Sequence, residues 1–149
     1  MKRTVPYAFY TAGALIAYFF LMKIFGLERN FYLRIFNFFI MGAGIFFLYR
    51  NSLVKDNNEH SGYLQSLMSG ALLTIISVAV FIVFLGLYIR FLDPQFLEVL
   101  GSSGLWPVSG VSISQVVIGI LIEGISSGFM LSFILMQYFK SAIPSHESV

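Results

Sequence analysis

Long apolar runs, interrupted at intervals by one or two charges, set the pattern of this chain. The first, Val5 to Met22, closes at Lys23, and the second, Phe31 to Tyr49, closes at Arg50 with Arg34 a turn inside its start. The longest uncharged run, Ser61 to Ile89, closes at Arg90. The fourth, Ile113 to Phe139, closes at Lys140 and contains one charge, Glu123. About 20 mainly apolar residues carry a helix across a hydrocarbon core of about 30 Å. Alternation with a period of two is absent, and backbone in lipid must satisfy its own hydrogen bonds, so the runs predict helices and not barrel strands. The expected fold is therefore all-α: a polytopic transmembrane helix bundle forming a single domain, 1–149, with four spans at about 5–22, 31–49, 63–89 and 113–139.

The connections differ in character. Lys23 to Asn30 is a tight turn containing Gly26, and Arg50 to His60 (RNSLVKDNNEH) is the most hydrophilic stretch. Phe91 to Ser112 contains Asp93 at an N-cap position and Pro94 at the first helical position, which predicts a short interfacial helix over 94–100. Phe96, Leu97 and Leu100 would lie on its membrane-facing side, with Trp106 at the same depth. The last residues, 141–149, read as a flexible tail.

Composition sharpens this picture. The 149 residues are 58% hydrophobic and 11% charged, far below the soluble average of about 25% charged, which excludes a water-soluble globular reading. Nine basic and seven acidic residues make no polyanion-binding patch, so nucleic acid is not an expected partner. The absence of Cys removes disulfides, thiolate metal sites and thiol catalysis. Met1-Lys2-Arg3 has the basic flank of a signal peptide, but the following run is too long for an h-region and lacks a small-residue cleavage site, so it reads as a retained span. With both termini cytoplasmic, Lys2, Arg3, Arg50, Lys55 and Lys140 lie inside and Lys23, Arg29, Arg34 and Arg90 outside. Lys2 and Arg3, flanking the first span, favour that orientation.

Glu123 is the acidic residue well inside an apolar span, a kind of position that is energetically expensive and commonly functional. At about 100° per residue, Ser112, Gln115, Gly119, Glu123, Ser126, Ser127, Met130 and Gln137 share an arc of about 120°, a face expected to point into the bundle. On the second helix Asn30, Arg34, Asn37, Met41, Gly44 and Asn51 form a similar arc. Arg34 and Glu123 differ in expected depth by about 4 to 5 Å, within reach of an Arg side chain. Two readings of Glu123, Arg34, Asn37 and Gln115 stand side by side: a hydrogen-bonded pair that fixes helix register, or a proton- or ion-handling site.

Small residues mark the packing faces. Gly124 and Gly128 form a GxxxG step, and Gly62, Ser66, Ser69, Gly70, Thr74 and Ser77 make a stripe on the third helix that continues as Phe81, Phe84 and Tyr88. Those rings either fill a splayed outer half or, with Tyr18, line a ligand pocket. The Phe36-Asn37-Phe38-Phe39 and Phe46-Phe47 clusters read as lipid-facing surface. Gly124-Ile125-Ser126-Ser127-Gly128 matches G-x-S-x-G and resembles the serine motif of rhomboid-type intramembrane proteases. A nucleophile needs a base, however, and His60 and His146 both sit in polar segments. Helix packing is the simpler account of the motif, and no catalytic residue, metal or cofactor is expected. His60 beside Glu59 and His146 beside Glu147 read as solvated loop residues.

The block from Gly62 to Leu100, with its glycine-bearing start, aromatic exit and Asp93-Pro94 step before Phe96-Leu97-Glu98, resembles an uncharacterised family of small four-span bacterial membrane proteins common in Bacteroidetes. The resemblance implies the fold and a multi-pass location in the cell inner membrane, and it assigns no activity. Taken together, the sequence points to a non-catalytic integral membrane protein, a small subunit, assembly factor or structural partner. Its expected partners are the lipid bilayer and other membrane chains or itself. The alternative is a small transporter or proton or ion pathway centred on Glu123.

Overall fold

The computed structural model describes residues 4–26, 35–51, 63–98 and 112–139. Four helices make up most of them: α1 (Thr4–Ile24), α2 (Ile35–Tyr49), α3 (Tyr63–Phe91) and α4 (Ile113–Phe139). By length and apolarity α1, α4 and the Leu64–Phe91 part of α3 are able to cross a membrane. The fifteen residues of α2 make about 22 Å at about 1.5 Å per residue, short of a hydrocarbon core of about 30 Å. Phe31 to Arg34, read from the sequence as part of this span, lie outside the described residues.

Local chemistry sets the helix ends. Gly26, at φ 63°, takes the left-handed conformation that L side chains rarely adopt, and its N–H returns to the Lys23 carbonyl at 3.0 Å. At the end of α3 the Leu92 and Asp93 N–H groups both donate to the Tyr88 carbonyl, at 2.9 and 3.1 Å. Asp93 then caps the next turn: the Phe96 N–H donates to Asp93 Oδ1 at 3.2 Å, and residues 96–98 are helical. At the start of α4, the Gln115 N–H donates to Ser112 Oγ at 3.3 Å while the Ser112 N–H donates to Gln115 Oε1 at 2.9 Å, a reciprocal capping box.

The helices run up, down, up and down. α1 and α3 are parallel neighbours, since Ala8 meets Ser77 near one end and Lys23 meets Asp93 near the other. α3 and α4 are antiparallel, with Val78 against Gly124 and Thr74 against Gly128. α2 lies against both α1 and α4, which gives the order α1, α2, α4, α3 around the bundle. Ala8, Ile45, Leu73 and Met136 are fully enclosed at its centre.

In lipid, burying apolar surface gives helices little reason to associate, so close packing and interhelical hydrogen bonds must hold them. The glycines show where this occurs. A Cβ on Gly44 would collide with Thr11 of α1, one on Gly70 with the Tyr49 hydroxyl and Ser132 Oγ, and one on Gly128 with Thr74. Ser77 Oγ donates across the α1–α3 interface to the Ala8 carbonyl at 2.9 Å. The Thr11 and Thr74 hydroxyls donate instead to carbonyls of their own helices, Tyr7 and Gly70, while the hydroxyl and methyl groups of each lie together against a glycine of the neighbouring helix.

Candidate functional site

α4 presents two unlike faces. Gly128 is buried and Gly124 half-buried against α3, and Ser132 is fully enclosed beside Gly70 and Tyr49. Ser66, Gly70, Thr74 and Ser77 of α3 are all buried. Glu123, Ser126, Met130 and Gln137 instead lie on the outside of the four-helix unit, with Met130 60% exposed. This corrects the expectation that the polar arc of α4 faces the bundle interior. The reason is steric: the glycine step lies on a different side of the helix and is the side on which two backbones can approach.

The other polar candidates separate as well. Gln115 sits in the capping box at the start of α4, where its amide completes the first turn. Asn37 is half-buried in the first turn of α2. Along the same arc of α2, Met41 is buried and Gly44 packs on Thr11 of α1, so this stripe faces α1 and does not meet the polar face of α4 there. Arg34, Asn30, His60, His146 and Trp106 lie outside the described residues. Ser126 and Ser127 belong to one continuous helix, where Ser127 Oγ donates to the Gly124 carbonyl at 3.1 Å; a nucleophile elbow requires a strand-to-helix turn at that point.

A second constellation joins residues far apart in sequence. Lys23 Nζ donates to Asp93 Oδ2 at 2.7 Å and lies 4.5 Å from the centre of the Tyr88 ring. The hydrogen bond from Lys23 holds the Asp93 carboxyl below the ordinary carboxylate value, partial burial opposes this, and the Phe96 and Gln95 N–H groups add to the lowering. Beneath it, Phe19 packs edge-on against Tyr88, Phe96 and Phe84, with ring centres 5.1, 5.4 and 5.9 Å apart. Phe96 is buried in this cluster, which corrects the expectation that it faces the membrane from an interfacial helix: the turn after Asp93 folds over the end of α1. The space that the sequence left open for a ligand among Phe81, Phe84 and Tyr88 is occupied by Phe19 and Phe96, while Tyr18 packs on Phe36.

Phe36, Phe39 and Phe47 are exposed on α2, whereas Phe38 and Phe46 are half-buried beside α4. Phe38, Phe39, Gly42, Phe46, Leu131 and Leu135 line an open, almost wholly apolar groove of about 310 Å³ between α2 and α4, and Glu123 is not among its walls. Sequence reasoning missed Thr11, Lys23 and Asp93 as packing and ion-pair residues, and missed the capping role of Ser112 and Gln115. S-x-x-Q ahead of an apolar run was a readable capping signal. Lys23 and Asp93 each follow the end of an apolar run on what the alternating topology makes the same side of the bundle. No protein-family model, curated protein or solved structure matches the chain.

Proposed function

We propose that this chain is a non-catalytic integral membrane protein that works as a small subunit, assembly factor or structural partner within a larger assembly, other membrane chains or further copies of itself completing the fold. The observation that carries the reading is the outward placement of Glu123, Ser126 and Gln137 on α4. Polar side chains on the outer face of a span give a neighbouring helix hydrogen-bonding groups to meet, which makes this face of α4 suited to a helix–helix contact. α4 is also the least enclosed of the three membrane-length helices, with 17% of its most apolar window buried against 44% for α3.

In this reading the apolar run 31–49, which contains α2, makes the fourth crossing. Both termini are cytoplasmic, and the protein resides in a bacterial inner membrane, as the resemblance of Gly62 to Leu100 to small four-span proteins implies. Extraction in mild detergent tests the central point. An assembly heavier than the 16.8 kDa chain is expected. A monomer that carries protons or ions into liposomes, and loses that flux with Glu123→Gln, would replace this reading with the transport one.

A further inference from the structure

We infer that the turn from Asp93 to Glu98 is a two-position strap, docked on the end of α1 in this structure and able to swing out into the membrane interface; the inference rests on the reading above that the chain spans a bilayer. The docked position has two fastenings. Phe96 is the buried side chain of the turn, with Pro94, Gln95 and Glu98 exposed around it, and it stands edge-on to Phe19 and Tyr88 with ring centres 5.4 and 6.2 Å away. The second fastening is the Asp93 carboxylate, whose Oδ2 accepts from Lys23 of α1 at 2.7 Å while its Oδ1 accepts from the Phe96 N–H at 3.2 Å. One side chain thus ties the turn to α1 and also holds the turn's own shape.

The surroundings make the swing cheap. In a water-soluble protein a freed Phe96 would enter water, and that transfer alone would keep it docked. At the end of two membrane-length helices it enters the bilayer interface, where apolar rings are well placed, so that only ring packing and the bond to Lys23 are given up. Adjacent apolar residues, Phe96 and Leu97, among polar ones suit that second position as well as the first. The hinge lies where α3 ends: the Leu92 and Asp93 N–H groups share the Tyr88 carbonyl, and Pro94 has no N–H with which to continue the helix. Lys23 and Asp93 are partly exposed, so water weakens their attraction and the fastening is one that opens. On a balance otherwise close to even, this pair decides which position is occupied. Swinging out uncovers Phe19 and Tyr88 at this face of the membrane, a ring surface that the docked strap closes.

The chain contains no Cys, so a single cysteine reports the strap's position directly. In membranes Leu97→Cys, half-buried against the core in the docked turn, is expected to react slowly with a lipid-dissolved maleimide. Adding Asp93→Ala, which removes the cap and the ion pair together, should raise that rate about tenfold. Lys23→Met, which leaves the cap, should raise it less, and Lys23→Arg should restore the slow rate. Leu73→Cys, fully buried, should stay unreactive beside Asp93→Ala if the bundle keeps its fold. An unchanged Leu97→Cys rate with Asp93→Ala overturns the strap, because the turn then has one position. An equal rise at Leu73→Cys overturns it too, since the whole bundle is then what opens, and so does a rise confined to a charged, water-soluble maleimide, which puts the freed turn in water. Ile75→Cys, exposed at the middle of α3, tests the reading beneath: reaction with the water-soluble reagent in place of the lipid-dissolved one would remove the bilayer, and the strap with it.

Discussion

The two halves of the bundle are closed by opposite means. Around Phe19 the interface between α1 and α3 is filled by large rings, with the turn at Phe96 folded over them and Lys23 bonded to Asp93 above. Around Gly128 and Gly70 the helices meet where side chains are missing, and a hydroxyl-bearing residue of the neighbour, Thr74, Tyr49 or Ser132, occupies the space. The same helix, α3, takes part in both. Its hydroxyl and glycine positions occupy the half where backbones come close, and Phe81, Phe84 and Tyr88 occupy the half that is filled by rings. Where water does not drive association, contact is maximised either by removing side chains or by adding rings, and this chain divides the two along its length.

The ring half should fail more severely. Phe19→Ala removes the residue that five other rings face and leaves a cavity among them, for which a loss of about 3 kcal/mol is expected in denaturant unfolding of the detergent-solubilised protein. Phe20, 40% exposed beside it, serves as the control and should cost clearly less on truncation. Equal losses would mean that Phe19 is not the centre of the cluster.

The close-packed half should fail by the opposite operation. In Gly128→Ala the new Cβ would stand 2.7 Å from the Thr74 Cβ, an atom fixed to backbone, so α3 and α4 must separate. Overpacking of this kind is expected to lower stability by about 2 kcal/mol. Gly13→Ala on α1, where a Cβ meets nothing within 4 Å, should be neutral or slightly stabilising through helix propensity. A loss at Gly13 as large as that at Gly128 would break the contrast. A smaller effect belongs to Ser77→Ala, which deletes the hydrogen bond to the Ala8 carbonyl and should cost about 0.6 kcal/mol, an ordinary value for such bonds between helices in a membrane.

Helical class was legible because charges fall between long apolar runs, and a chain in lipid has no other local way to satisfy its backbone. The side of a helix that faces its neighbour was less so. The arc through Glu123 reads as inward from the sequence because a charge avoids lipid, yet inside the four-helix unit the glycine step takes the contact with α3. Phe96 was misplaced for a related reason: an apolar residue after a cap fits a membrane surface and a ring cluster equally well until α1 is known to lie beside α3. Lys23 and Asp93, seventy positions apart, leave no spacing signal, and only the parallel packing of α1 and α3 brings them together.

The ion pair is the smallest contributor to the ring half, and it is tested by pH. Lys23 and Asp93 are partly exposed, with side chains 32% and 28% accessible, so water screens their attraction and the pair should add little beside the rings below it. Its direction is nonetheless fixed. Asp93 is held below its ordinary value of 3.8 in the folded protein, chiefly by the hydrogen bond from Lys23, so folding favours the ionised carboxylate. The contribution is therefore fully present above that ordinary value and is lost as pH falls below it through the lower value of the folded state. Unfolding midpoints measured from neutral pH down through this window should fall more for the natural chain than for Asp93→Asn, whose amide still accepts the Phe96 N–H at the cap but does not titrate. Lys23→Met should narrow the same difference, since Asp93 then loses the group that lowers its value most. If the natural chain and Asp93→Asn trace parallel curves through this range, the ion pair contributes nothing to stability, and the rings and the cap alone close that half of the bundle.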